Sequence, residues 1–476
     1  MTPQQILTRH DAAITWRRPH EANWRDAYAH VLPAPHEAAS LYDATAADAT
    51  EQLAASLLAE LTPPWSRWFG LAPARALEGT EEGQAAAAAL EITADTLQAH
   101  LDRSNFAVEM HQAFLDLVIT GTGVMLVEEA PPGETSALRF SAVPVRIAIL
   151  EEGPRGRLDT VSREARVTTA EMLRRFPFAE IPAAMQREAA NEAPDPTRHR
   201  LIEAVWPDGA GHRYAAVFDA DGLKAPIFVA QGRFADAPFI AFRWLKAPGE
   251  VYGRGPVIKA LPDIRTANRV VELVLKNASI AVTGIWQAED DGVLNPATVQ
   301  LTPGAIIPKA PGSSGLTPLA APGNFDVSQL VLNDLRARIR TALLADRLGV
   351  VRDQRMTATE VLERSAETAR LLGATYGRLQ TELLTPLIAR SLAILARRGE
   401  VAPVLLDQGR VALRYESPLA RVQGRADAAN TLLFLDAVSK MGEAAAAQVD
   451  APAAARWLAR TLGAPAEILV PLVQPE

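Results

Sequence analysis

Two stretches in the second half of the chain repeat apolar residues every three to four positions, the spacing of an amphipathic helix. The first opens with Pro262 and ends near Gly284, and the second runs from Asp326 to Gly349. About 20 residues in each would form a rod of about 30 Å. Because the rods match in length, the residues between them lie at their shared far end. The pattern predicts a helix–tip–helix hairpin.

Between Val124 and Trp244 the pattern changes to short runs of β-branched and aromatic residues, separated by turns rich in proline, glycine and aspartate. Such runs predict an antiparallel sheet. The runs are VMLVEE, LRFSAV, VRIAIL, IEAVW, YAAVFD and FIAFRW. One helix interrupts them, since Thr168 and Glu171 form a capping box. Residues 181–200 are predicted to be an exposed polar connector.

Helical patterns dominate the first 120 residues. Residues 1–30 are predicted to be helical, with Pro19 splitting them into two pieces. Leucines at helical spacing predict a further helix that stops at Pro63-Pro64. Residues 81–120 are predicted to be helical up to the turn at Gly121.

Helices also dominate the C-terminal part. A capping box of Thr357 and Glu360 starts a third long helix, which Pro386 should bend and Gly399 should stop. After a short β-like piece, residues 425–476 are alanine-rich and helical. The predicted fold class is therefore α+β and mainly helical.

Composition limits the possible classes of protein. The chain has 476 residues, of which 48% are apolar and 22% charged, enough for large cores in two or three lobes. It has no cysteine, no apolar signal-peptide core at its start and no run of 18 apolar residues, so no transmembrane helix is predicted. The net charge of −8 argues against a basic nucleic-acid clamp.

Motifs for catalysis and cofactor binding are missing. The eight histidines form no HExxH motif, and the sequence contains no GxSxG elbow and no P-loop. Gly253-Arg254-Gly255 lacks the Walker A lysine and is better explained as a sharp turn. Glu289-Asp290-Asp291 could hold a nuclease metal, but an exposed acidic turn is favoured. We therefore expect no enzyme activity, no metal and no cofactor.

Four stretches, in this order, suggest a known family. They are YDATAADATEQLAASLLAELTPPWSRWFGL, VYGRGPVIKALPDIRTANRVVELVLK, DDGVLNPATVQLTPGAIIPKAPG and RMTATEVLERSAETARLLGATYGRLQTELLTPL. With them the chain resembles the portal proteins, or head-to-tail connectors, of short-tailed bacteriophages. The likeness spans most of residues 40–420, and the last 50 or so residues match least.

The resemblance implies the phage portal fold, divided along the chain into a wing, a paired-helix stem, a small β-containing clip and a helical crown. The implied parts are the wing at 1–255, the first stem helix at 256–283, the clip at 284–325, the second stem helix at 326–348, a tunnel loop at 349–356, a long kinked helix returning to the wing at 357–424 and the crown at 425–476.

The resemblance also implies a structural role in the virion. The subunits would form a ring, usually of twelve, at one capsid vertex, after assembly in the host cytoplasm. Double-stranded viral DNA would pass through the ring during packaging and ejection. The implied partners are other copies of the chain, the terminase large subunit, tail adaptor proteins and the major capsid protein, with no membrane.

Site residues follow from that assignment. The stem arginines Arg336, Arg340 and Arg347 either face the channel as sparse rings that centre the DNA, or pair with acids of the neighbouring stem. The implied tunnel loop contains Gly349, Val350, Val351, Arg352, Asp353, Gln354 and Arg355. The clip residues expected to contact partners or neighbouring copies are Trp286, Asp290, Asp291, Ile306 and Ile307.

Two other classes of protein stay open. A nuclease or packaging ATPase would need a carboxylate cluster or a P-loop, and the acidic turn at 289–291 is the one weak candidate. Another virion head–tail adaptor or scaffold protein without a DNA channel would lack the two matched helices.

Overall fold

The structure is a computed structural model, and it describes most of the chain with gaps. The described residues are 1–34, 40–64, 66–73, 81–190, 197–283, 285–288, 311–312, 316–319, 325–345, 373, 375–404, 411–415, 418–442 and 448–462. Helices and antiparallel sheets alternate along this part, so the expected mixture of helix and sheet is present.

The N-terminal helix α1 is continuous over Pro3–Val31 and contains Pro19, so the prediction of two pieces is wrong. Thr2 and Gln5 form a capping box at its start. Apolar side chains on both sides of Pro19, including Ile6 and Trp24, are buried against other elements. A proline removes one helical hydrogen bond, and packing on both sides holds the helix together across it.

Three further helices follow α1, with one short strand between them. They are α2 (Thr45–Leu61), α3 (Glu81–Arg103) and α4 (Phe106–Thr120), and the strand is β1 (Phe69–Pro73). The helix predicted before Pro63-Pro64 is confirmed as α2. Gly121 ends α4 in the left-handed conformation at φ 92°, which favours glycine.

The predicted antiparallel region contains two sheets. The strands are β2 (Thr122–Glu129), β3 (Leu138–Ala142), β4 (Ala148–Glu152), β5 (Leu158–Val167), β6 (His199–Asp208), β7 (Gly211–Asp219), β8 (Ile227–Phe234) and β9 (Phe239–Arg243). One sheet has the order β3–β2–β9 and the other β4–β5–β6–β7–β8. Strands β5 and β8 are additional to the six predicted runs.

Two helices accompany the five-stranded sheet. The predicted capping box of Thr168 and Glu171 is confirmed at the start of α5 (Thr169–Arg175). Residues 181–200 are not simply an exposed connector, because they include α6 (Ala183–Ala190). Ile181 and Met185 are buried beside Met172 of α5, so this segment covers one side of the sheet.

The two rods of the predicted hairpin are α7 (Pro256–Thr283) and α8 (Phe325–Ala342). The helix α7 starts six residues before Pro262, which lies inside it. The helix α8 ends at Ala342, before Gly349, and Leu344 beyond it has a left-handed φ of 56°. At the far end of the pair, β10 (Ile285–Ala288) and β11 (Leu316–Leu319) form an antiparallel two-stranded sheet.

The last helices begin with a segment that runs from Thr375 and contains a π-helical turn at Gln380–Leu384, directly before Pro386. It continues as α9 (Thr385–Arg397), and Gly399 follows with a positive φ. Pro386 was predicted to bend the helix, and the structure has this π turn, an irregularity of the hydrogen-bond pattern, just before it. Then come β12 (Val411–Tyr415), which pairs with β1, α10 (Pro418–Lys440) and α11 (Ala451–Leu462).

By length and composition, the helical segment Thr375–Arg397 could cross a membrane, with a mean hydropathy of 1.2. More than half of it is buried inside the protein. Its leucines, including Leu383 and Leu387, belong to the main core together with residues of α2, α4, α7 and α8. This is the environment of a core helix, and the core it enters joins the helical hairpin to the N-terminal half of the chain.

Candidate functional site

The paired helices α7 and α8 bury matching apolar stripes and have charged side chains outside them. The stripe of α7 includes Leu261, Ile264 and Ala267, and that of α8 includes Leu332, Leu335 and Ile339. An ion pair of 2.9 Å between Arg338 Nη2 and Asp263 Oδ1 joins the helices outside the stripes. The pair is therefore a stable frame for charged side chains.

Arg336, which was predicted to face a channel or a neighbouring stem, is bound within its own chain. Its Nε donates to Asp43 Oδ2 at 2.8 Å, and the Asp43 side chain is only 3% exposed. Asp43 Oδ1 also accepts from the backbone N–H of Thr45, at the start of α2. Burial alone would raise the pKa of Asp43, but the hydrogen bonds from Thr45 and Arg336 hold that pKa below its ordinary value.

The helix α7 holds the same segment from its other side. Asn268 Oδ1 accepts from the backbone N–H groups of Tyr42 and Asp43, at 2.7 and 3.1 Å. Its Nδ2 donates to the carbonyl of Ser40 at 3.1 Å. Residues 40–43 are thus fixed to both long helices, which sets the position of the hairpin relative to α2.

Arg340 remains a surface residue on α8. It is exposed and lies on the side of the helix that also contains Gln329 and Asn333, whose side chains hydrogen-bond at 3.2 Å. The structure therefore separates these two arginines, since Arg336 pairs with Asp43 and Arg340 lies on an exposed, polar side of α8.

Most of the other predicted site residues lie outside the described residues. These are Arg347, the tunnel loop residues Gly349, Val350, Val351, Arg352, Asp353, Gln354 and Arg355, and the clip residues Asp290, Asp291, Ile306 and Ile307. The exception is Trp286, whose backbone lies in β10 opposite Pro318. The capping box of Thr357 and Glu360 also lies outside them.

A buried ion network that the sequence did not predict joins the two sheets to the C-terminal helices. Arg243, at the end of β9, is completely buried. Its Nη2 donates to Glu382 Oε1 at 2.7 Å and its Nη1 to Glu152 Oε2 at 2.9 Å. Lys246 also pairs with Glu152. Burial alone would lower the pKa of Arg243, but Glu382 and Glu152 more than offset it and raise that pKa.

Glu382 reaches Arg243 from the π-helical turn. In that turn the N–H of Thr385 donates to the carbonyl of Gln380, five residues earlier. The sequence contained two signals. Arg243 is a charged residue at the end of the apolar run FIAFR, and Glu382 is a charged residue inside an apolar helix. Buried charges need partners, but the spacing could not tell which acid pairs with which base.

Gly253-Arg254-Gly255, predicted to be a sharp turn, follows a turn at Pro248-Gly249 and packs closely against another backbone. A Cβ atom on Gly253 would lie 2.0 Å from the carbonyl oxygen of Gly121, and one on Gly255 would lie 2.5 Å from that of Val118. Only glycine permits this close approach of the backbones. The turn delivers the chain from β9 into α7.

A serine, a histidine and a glutamate lie together where α1 meets the five-stranded sheet. His10 Nδ1 is 2.8 Å from Ser162 Oγ, and His10 Nε2 is 3.5 Å from Glu164 Oε2. His10 and Ser162 are buried between α1 and β5, at 2% and 6% exposure. No substrate could reach that serine, and the nearby His10, together with the hydrogen bond from Arg200, instead lowers the pKa of Glu164 to about 2. This cluster attaches α1 to the sheet.

Within the described part of the chain, no three His, Asp or Glu side chains are grouped so as to hold a metal ion. The described geometry is that of a frame with a helical hairpin, and its buried polar contacts connect structural elements.

Comparison with known proteins identifies the family of this chain. The family model described as "Bacteriophage head to tail connecting protein" matches residues 3–469, which is almost the whole chain. The chain belongs to the bacteriophage head-to-tail connecting protein family. The expected resemblance to phage connectors is thereby confirmed.

Curated relatives of this connector are similar over most of their length. The probable portal protein of Bordetella phage BPP-1 is 26% identical over 464 residues, covering 91% of this chain and 80% of that protein. The portal protein of Salmonella phage epsilon15 is 23% identical over 460 residues, with the same two shares. A chain from the virion of a native gene transfer agent particle is 13% identical, with a TM-score of 0.35 over 86% of this connector and 88% of that chain.

Proposed function

We propose that this connector is the subunit of a portal ring at one vertex of a phage capsid. The observation that supports the proposal most is the family match over residues 3–469, which includes both long helices and the strands between them. The role is structural, and double-stranded DNA passes through the ring during packaging and ejection. A ring of twelve copies is proposed from the family resemblance.

The parts of the subunit have separate tasks in this proposal. The pair α7–α8 is the stem, and residues 284–325 are the clip, which docks the terminase large subunit and later the tail adaptor proteins. The pairing of β10 with β11 supports a small β-containing clip. Residues 349–356 are the tunnel loop, and residues 425–476 are a crown inside the capsid, whose major protein surrounds the ring.

The side of α8 with Gln329, Asn333 and Arg340 is the proposed channel side. Arg336 supports this side indirectly, because its ion pair with Asp43 holds α8 in place. Polar and basic groups spaced along a helix give sparse contacts with phosphate, which suits a conduit in which DNA must move.

Electron microscopy of the purified full chain tests the proposal. We expect closed rings with a central hole. The mass of the particles, measured by mass photometry, should correspond to a fixed number of 51.2 kDa subunits, and an ATPase assay of the same protein should detect no hydrolysis. Monomers or solid particles at all protein concentrations would contradict it. They would favour the second candidate, a head–tail adaptor or scaffold without a channel, against which the paired helices already argue.

A further inference from the structure

Each of the two stem helices has an exposed apolar residue on the side opposite its buried stripe. Leu273 of α7 is 44% exposed and lies nine residues, or about two and a half turns, after Ile264. Leu330 of α8 is 72% exposed and lies nine residues before Ile339. Because the stripes bring the helices together, the two leucines lie on opposite edges of the pair.

The charges beside the two leucines have opposite signs. On α7, Arg269 and Lys276 lie one turn before and after Leu273, each with a side chain 61% exposed. Both pair with Glu272, so two bases share one acid and this edge keeps a positive excess. On α8, the exposed Asp334 lies one turn after Leu330. We call these the α7 edge (Arg269, Leu273, Lys276) and the α8 edge (Leu330, Asp334).

The two edges also lie at nearly the same height along the pair. The ion pair between Asp263 and Arg338 aligns the antiparallel helices. Leu273 is ten residues beyond Asp263, and Leu330 is eight residues beyond Arg338 in the same direction. At a rise of about 1.5 Å per residue these leucines lie about 15 and 12 Å past the ion pair, so their heights differ by about 3 Å.

Matching heights matter because a contact between two different surfaces of one chain closes into a ring only without a shift along the axis. With a shift, the same contact would build an open filament. We propose that the α8 edge of one copy packs against the α7 edge of the next copy, Leu330 against Leu273, with Asp334 facing Arg269. The inference deepens the proposed function and rests on its ring, and the partner is a second copy of this chain.

Charge reversal tests the contact in the full-length protein. Asp334→Lys alone, or Arg269→Glu with Lys276→Glu, places like charges together at every interface. We expect either variant to need about tenfold more protein for half-maximal ring formation in mass photometry, where tenfold corresponds to about 1.4 kcal/mol. Asp102→Lys, which reverses an exposed acid on α3, is the matched control and should assemble like the wild type.

Recombination of the variants supplies the decisive comparison. A 1:1 mixture of Asp334→Lys copies with Arg269→Glu/Lys276→Glu copies should form rings again, since alternating copies restore opposite charges at both of their interfaces. The triple variant with all three changes in one chain should also form rings. Failure of both restorations, or wild-type assembly by the single-edge variants, would overturn the inference. If the wild type itself formed no rings, the proposed function would fail instead.

Discussion

At the residue scale, the carboxyl group of Asp116 on α4 is deeply buried. It is 8% exposed and accepts hydrogen bonds from Tyr28 Oη of α1 and, at 3.1 Å, from the N–H of Val145. Burial raises its pKa to about 6, although Tyr28, Val145 and the nearby Arg146 act in the opposite direction. Burial and the charge of Asp116 together also raise the pKa of Tyr28.

This raised pKa predicts a pH dependence of stability. Between the ordinary pKa of 3.8 and the folded value of about 6, the folded state binds more protons than the unfolded state, so stability falls as pH rises. The loss is complete above pH 6 and amounts to about 3 kcal/mol. Asp116→Asn removes the titration, so the stability of the wild type relative to the variant should fall by about 2–2.5 kcal/mol between pH 4 and pH 7.

Urea unfolding followed by circular dichroism at several pH values measures this difference. The comparison with the variant cancels the other titrating groups, because they are common to both proteins. Asp102→Asn, at an exposed position on α3, is the control and should leave the pH profile unchanged. A constant difference between wild type and Asp116→Asn from pH 4 to pH 7 would show that burial of the carboxylate costs nothing here.

At the element scale, the contact between Arg243 and Glu382 connects parts that are far apart in the chain. It joins β9 of the three-stranded sheet to the π-helical turn, and through Glu152 it reaches β4 of the five-stranded sheet. Glu382 is 10% exposed and Arg243 is fully buried. Removing Glu382 leaves the buried charge of Arg243 with Glu152, which Lys246 shares, so the cost should lie near the lower end of the about 3–5 kcal/mol of a broken buried pair.

Glu382→Gln should therefore lower the free energy of unfolding by about 3 kcal/mol or more. The matched control is Arg397→Gln, which breaks the pair with Glu129, since those side chains are 53% and 40% exposed. Exposed pairs contribute about 1 kcal/mol or less. Equal effects of the two substitutions in urea unfolding would contradict the idea that Arg243 holds these elements together.

The elements themselves were largely predictable where their apolar pattern was strong. Six strands and the long helices α2, α7 and α8 follow from periodicity alone. Strand β5 was missed because it contains Arg163, Glu164 and Arg166, which look like a solvated turn. In the fold, Arg163 pairs with Glu203 of β6 and Glu164 with Arg200, so these charges are satisfied by long-range contacts that no local pattern contains.

The candidate site was less predictable than the elements. The spacing of Arg336 and Arg340 places both on α8, but it says nothing about residues 40–43, almost 300 residues earlier, where the acid that binds Arg336 lies. Likewise, the expectation that Pro19 breaks α1 considered the helical hydrogen bond that proline removes, but not the tertiary packing that offsets this loss. Tertiary contacts decided both outcomes.

At the scale of the whole molecule, the net charge of −8 per copy makes any ring strongly acidic. Most of its surface therefore repels DNA, and a few basic side chains on the channel side have a large relative effect. Arg340 is the described residue that fits this role, because Arg336 and Arg338 are already paired with Asp43 and Asp263.

Arg340→Glu tests the channel side. Every copy in the ring would then exchange an attraction for a repulsion, and we expect about tenfold fewer particles to retain a packaged genome, since about 1.4 kcal/mol changes a population tenfold. The measurement is the ratio of DNA-filled to empty heads after packaging.

Lys440→Glu, which reverses an exposed base on α10, is the control and should leave the ratio near that of the wild type. Rings must form normally in both variants, because Arg340 lies outside the α8 edge. If Arg340→Glu heads retained DNA as well as the wild type, the DNA would have to be centred by other residues of the ring, and the side of α8 with Gln329 and Asn333 would not face the channel.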